Sequence, residues 1–73
     1  MASTDPKLLF GQRLALLRKE KGWSQEQLAL RSGLARSYLG GVERGQRNIA
    51  LENIVKLALT LEVRASVLMD FPE

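Results

Sequence analysis

Apolar residues recur along this chain at helical spacing and nowhere alternate for long enough to build a strand. Phe10, Leu14 and Leu17 fall at i, i+4 and i+7, one face of a first helix. Asp5-Pro6 opens that helix with a side-chain acceptor followed by proline at the first helical position. Lys19 and Lys21 sit where cations suit the carbonyl end of a helix, and Gly22 supplies a left-handed stop. Ser24 and Gln27 have the spacing of a capping box, so a second helix opens there. It turns Leu28 and Ala29 inward and is stopped by Gly33.

A third helix is predicted from Ala35 or Arg36 to Gly45, with Leu39 and Val42 as its buried side. A fourth runs from about Leu51, with Ile54, Leu57, Ala58 and Leu61 on one face. A short last helix near Ala65 to Met69 brings Val67 and Leu68 down on the others. The pattern predicts an all-α fold, a compact five-helix bundle. It is read as a single domain over residues 1–73, with residues 1–5 as a flexible N-terminus.

Four positions work against these helices. Ala35 and Ala50 stand where N-caps are needed, at about 1 kcal/mol each relative to serine. Gly40 and Gly41 inside the third helix cost roughly 0.8–1 kcal/mol each relative to alanine. Either the bundle tolerates them, or another surface must approach this backbone closely.

Length narrows the function. Seventy-three residues have little room for a deep enzyme pocket and lie near the lower limit for folding alone. Cysteine and histidine are both absent. That excludes disulfides and thiolate metal sites, and removes the commonest general base. Neither enzymatic activity, nor a metal or cofactor, nor a small-molecule ligand is expected. No apolar run is long enough to span a membrane, and MASTDPK lacks the apolar core of a signal peptide. A cytoplasmic protein is expected, with oligomerisation as the remaining support for a small core.

The net charge of +3 says less than its distribution. Residues 31–47 carry Arg31, Arg36, Arg44 and Arg47 against Glu43 alone. Residues 48–73 are mildly acidic. The densest basic stretch therefore coincides with Trp23 to Asn48, which reads as helix, glycine-containing turn, helix. Such a unit presents the first turn of its second helix to the DNA major groove. Here that turn carries Arg36, Ser37 and Tyr38. The planar fork of Arg36 matches O6 and N7 of guanine, and a first-turn cation is otherwise poorly placed for the helix dipole. Ser37 suits a base, a phosphate or a nearby backbone N–H. Tyr38 suits either DNA or the core edge. Arg47 and Asn48 follow a glycine and suit phosphate or the turn itself. Trp23 is read as a core anchor.

The ordered set Arg18, Gly22-Trp23-Ser24-Gln25, Leu28-Ala29, Ser32-Gly33-Leu34, Ser37-Tyr38-Leu39, Val42-Glu43-Arg44-Gly45, Arg47-Asn48-Ile49, Leu57-Ala58 and Leu61 resembles the lambda-repressor-like, or Xre-type, helix-turn-helix family. The likeness covers about residues 8–70. Within that family, the Arg36-Ser37-Tyr38 triplet and the run from Arg44 to Ile49 look most like the controller proteins of bacterial restriction–modification systems. The resemblance implies a sequence-specific DNA-binding transcriptional regulator. It implies base contacts from Arg36 and Ser37 with Tyr38 beside them. It implies backbone contacts from Gln25, Arg47 and Asn48, and an internal salt bridge between Arg18 and Glu43. Ala50 departs from the family's frequent serine or threonine, removing a cap and a hydroxyl that could reach phosphate.

A controller would bind near its own promoter, activating from a strong site and repressing from a weaker one. It would meet RNA polymerase through an exposed surface such as Glu26 and its neighbours on the second helix. The alternatives are a simple Xre-type repressor and an antitoxin-like protein-interaction module. A symmetric homodimer on a double-stranded operator is expected, its half-sites roughly 34–36 Å apart. Ile49, Leu51, Val63, Leu68 and Phe71 exceed what the inner stripe of the fourth helix needs and are the candidate dimer interface. Core filling is the alternative for each.

Overall fold

The local signals resolve into helices where the caps place them. In the computed structural model, residues 5–72 are described. Of the N-terminal residues 1–5 expected to be flexible, 1–4 lie outside the described residues; Asp5 is the N-cap of α1 (Pro6–Glu20). Its carboxylate accepts from the Lys7 N–H at 3.0 Å. Gly22, at φ 76°, turns the chain. Both halves of the Ser24–Gln27 capping box form and open α2 (Gln25–Ser32). Gly33 ends α2 in the left-handed conformation that costs glycine no steric penalty.

α3 (Arg36–Glu43) and α4 (Leu51–Leu61) begin at Ala35 and Ala50, neither of which makes a side-chain cap bond. α3 stops two residues short of the predicted end at Gly45, with Arg44 as its C-cap. Gly45 N–H donates to the Val42 carbonyl and Gln46 N–H to the Gly41 carbonyl, which closes the chain before Gly45 can continue the helix. α5 spans Ala65–Leu68.

α1 packs against α3 and α5, α2 against α3 and α4, and α4 against α5. The core they enclose is Phe10, Leu14, Leu17, Leu28, Leu39, Val42, Leu57, Ala58, Leu61 and Leu68. Each fully buried leucine contributes about 1.5–3 kcal/mol relative to exposure. Leu68 is one of them, with no accessible surface. Its expected place in a dimer interface is therefore corrected: α5 is so short that its one inward leucine is consumed by the protomer. Ile49, Val63 and Phe71 are half-buried against the same core. Of the five candidates, Leu51 alone is largely exposed, at 76%.

Space, more than propensity, sets how α1 meets α3. A Cβ on Gly11 would lie 2.3 Å from the Val42 carbonyl oxygen and 2.6 Å from that of Glu43. At Gly45, which has φ +75°, a Cβ would lie 2.8 Å from the Leu8 Cα. Both obstacles are backbone and cannot rotate aside. Alanine at Gly11 should raise helix propensity by about 0.8–1 kcal/mol. Forcing α1 from α3 should outweigh that, for a net loss of about 1–3 kcal/mol in urea unfolding of Gly11→Ala. A variant as stable as the parent would show that the contact yields without cost.

Candidate nucleic-acid interface

Three of the basic residues of 31–47, Arg36, Arg44 and Arg47, lie on or against α3, whereas Arg31 sits on α2 beside Trp23. Arg36 and Ser37 occupy the first turn of α3 and are exposed. Arg36 Nε stands 3.9 Å from Glu26 Oε1 on α2, with both side chains mostly in water. Such a pair contributes little and leaves the guanidinium available to another acceptor. The turn between α2 and α3 is tied by the Ser32 hydroxyl, which accepts from the Leu34 N–H at 3.3 Å.

Beneath that surface lies a network centred on Glu43. Arg18 donates from Nε to Glu43 Oε2 at 2.7 Å and from Nη2 to Oε1 at 2.9 Å. Its Nη1 donates to the Trp23 carbonyl at 2.8 Å. Arg18 as a residue is 9% exposed, yet its pKa is raised, chiefly by the hydrogen bond to Glu43 and against the opposing pull of desolvation. The two-pronged geometry matches guanidinium to carboxylate and satisfies the charge that burial would otherwise penalise. Glu43 Oε1 also accepts from Gln25 Nε2 at 2.9 Å. Gln25, expected to reach out to phosphate, is thus tethered at the start of α2, with its carbonyl oxygen 3.6 Å from where a Gly40 Cβ would stand.

The two glycines of α3 have a reason in this packing. A Cβ on Gly41 would come within 2.8 Å of the Arg47 Cγ, so the stem of Arg47 lies across bare helix backbone. The Arg47 guanidinium reaches the Tyr38 ring, 5.9 Å from its centroid. Gly40 similarly makes room for Arg44 and Gln25. Tyr38 is half-buried, and its hydroxyl oxygen accepts from Asn53 Nδ2 at 3.1 Å. Asn48 is exposed and borders a shallow cleft with Lys7, Phe10 and Ile54. Trp23 packs one side against the core and holds the Arg31 guanidinium 4.5 Å from its ring centroid.

The candidate interface residues include Leu51 but not Val55 or Leu59. α4 carries a second apolar stripe at i, i+4 and i+8: Leu51, Val55 and Leu59, exposed at 76%, 44% and 74%. The signal was present in the sequence, because a helix with apolar residues on two faces has more than one core face needs. Leu30 on α2, 85% exposed, lies outside that stripe, as do Leu16 and Met69, each about half exposed. Asn53 carried no signal of its own.

The helix-turn-helix family profile matches residues 14–68, three-quarters of the chain and all of α2 to α5. The chain belongs to this family. The restriction–modification controller C.AhdI from Aeromonas hydrophila superimposes with a TM-score of 0.83 at 60% identity, over 85% of this chain and 94% of that one. A hypothetical transcription factor of Neisseria meningitidis is 45% identical over 94% of this chain, and this helix-turn-helix chain spans 65% of its length. The biofilm master regulator SinR, solved in complex with DNA, superimposes with a TM-score of 0.80 at 39% identity, over 84% of this chain and 98% of the solved one. Of the curated SinR of Bacillus subtilis the chain spans 57%.

The Glu43 network makes a stability prediction for this helix-turn-helix unit. Glu43→Ala strands the nearly buried Arg18 charge and should cost about 3–5 kcal/mol in chemical denaturation. A loss below about 1 kcal/mol, the level of an exposed pair, would mean that Arg18 finds water in the variant.

Proposed function

We propose that this protein is a sequence-specific transcriptional regulator that binds double-stranded DNA as a homodimer and acts as a restriction–modification controller at its own promoter. The observation that carries this reading is the exposed first turn of α3, with Arg36 and Ser37 in water and the far end of the helix tied to α1 and α2 through Glu43. The 60% identity to C.AhdI supports the controller role over a general repressor. Arg36 would read a base edge, with Ser37 and Tyr38 beside it. Arg47 and Asn48 would contact the backbone and set the register, and Gln25 would join them through the second amide hydrogen, which its bond to Glu43 leaves free. The protein would work by binding alone, in the cytoplasm; no helix among the described residues is long and apolar enough to cross a membrane.

The dimer contact is proposed on the outer stripe of α4. Leu51, Val55 and Leu59 are apolar, exposed and spaced along one face, and association would remove them from water. Ile49, Val63 and Phe71 contribute at most their half-exposed edges. RNA polymerase would meet the outer face of α2, where Glu26 and Leu30 stand one turn apart and exposed.

Binding is tested with a duplex selected by the protein from random-sequence DNA. Arg36→Ala should lower affinity for that duplex by about 1–3 kcal/mol and relax preference at one base position. Arg47→Ala should weaken selected and random duplexes alike and flatten the salt dependence, because a phosphate contact releases counterions whatever the sequence. Arg36→Ala binding as tightly as the parent, while folded, would remove the recognition assignment.

The controller role is tested by a reporter on the promoter upstream of the gene. Output should rise and then fall as protein accumulates, as a strong site fills before a weak one. Leu59→Glu should blunt that response by preventing dimerisation. Output that only falls would favour the simple repressor, and no response with no DNA binding would favour an antitoxin-like protein-interaction module.

A further inference from the structure

Asn53 lies in the first turn of α4, half-buried, fifteen positions from the tyrosine it touches. Its amide donates from Nδ2 to the Tyr38 hydroxyl oxygen at 3.1 Å. A phenol has one hydrogen and an oxygen that accepts. With a donor already facing the oxygen, the hydroxyl hydrogen must point away from Asn53. The ring itself is flanked by the Arg47 guanidinium, whose stem lies in the space that Gly41 leaves open. Asn53 therefore sets which way the hydroxyl hydrogen points, while the core holds the ring and the space at Gly41 lets Arg47 lie beside it.

We propose that Asn53 is a positioning residue for DNA binding: it presets the Tyr38 hydroxyl as a hydrogen-bond donor toward a backbone phosphate oxygen beside Arg47. The inference rests on the DNA-binding reading above. Phosphate oxygens only accept, so a hydroxyl that turned a lone pair toward them would be repelled. Without Asn53, the hydroxyl is free to rotate and must be reoriented on each binding event. Arg47 next to the ring makes phosphate, rather than a base edge, the acceptor that this pair suits.

The test is a double-mutant cycle on affinity, read by fluorescence anisotropy with the selected duplex and with a random-sequence duplex. Asn53→Ala should weaken both by about threefold to tenfold, the size of one hydrogen bond. Tyr38→Phe should do the same. Adding Asn53→Ala to Tyr38→Phe should change affinity less than about twofold, because Asn53 then has no hydroxyl to orient. Alanine is the stronger helix former, and thermal unfolding confirms that each variant is folded. The near-isosteric Asn53→Leu, which also lacks the donor, repeats the measurement if alanine disturbs α4. An equal loss in both tyrosine and phenylalanine backgrounds would overturn the proposal, as would no loss at all. A loss confined to the selected duplex would overturn the phosphate assignment. A parent protein that binds neither duplex would overturn the DNA-binding reading itself, and this inference with it.

Discussion

The carboxylate of Glu43 is the point on which three helices depend. It stands at the end of α3 and accepts from Arg18 on α1 and Gln25 on α2. Each partner answers a different need. Arg18 neutralises a charge that is taken almost out of water and reaches on to the Trp23 carbonyl between the helices. Gln25 ties the start of α2 to the end of α3. Between them, the angle between the two halves of the helix-turn-helix is held by bonds to a charged acceptor, which are roughly twice as strong as neutral ones. Hydrophobic packing alone would leave that angle softer, since apolar contacts have no preferred direction.

A second constraint is the absence of side chains at chosen places. Gly11 lets α1 lie against the last carbonyls of α3, where Glu43 must be within reach of Arg18. Gly45 lets the chain leave α3 beneath Leu8. Gly41 gives the Arg47 stem its track across α3. The propensity lost in a glycine-rich helix of eight residues is recovered as position: polar side chains are laid on the helix at fixed places rather than left to wander. An interface that reads DNA needs that order in advance, because every rotamer frozen on binding subtracts from affinity.

α4 serves two surfaces at once. Ile54, Leu57, Ala58 and Leu61 face the bundle, and Leu51, Val55 and Leu59 face water. A small domain buries only part of its apolar surface by itself, which leaves this outer stripe in water. α4 also ends without a glycine. Glu62 takes the left-handed conformation at φ 59°, a strained choice for a residue with a Cβ. Val63 N–H then bonds back to the Ala58 carbonyl and closes the helix.

What the sequence determined by itself is the order and start of the helices and their inner faces. Those depend on groups within about four residues of one another, such as Asp5 with Lys7 or Ser24 with Gln27, so a local pattern suffices. The resemblance to the Xre-type family further supplied the pairing of Arg18 with Glu43. Tertiary structure decided the rest. That Gln25 is held by Glu43 and Tyr38 by Asn53 depends on residues 18 and 15 positions apart, brought together only when the helices cross. That Leu68 is consumed by the core while Leu59 is left in water depends on which side of each helix its neighbours cover. Gly11 carries no sequence signal beyond the poor helix propensity of any glycine. Only the crossing of α1 and α3 shows that any larger residue there would strike backbone.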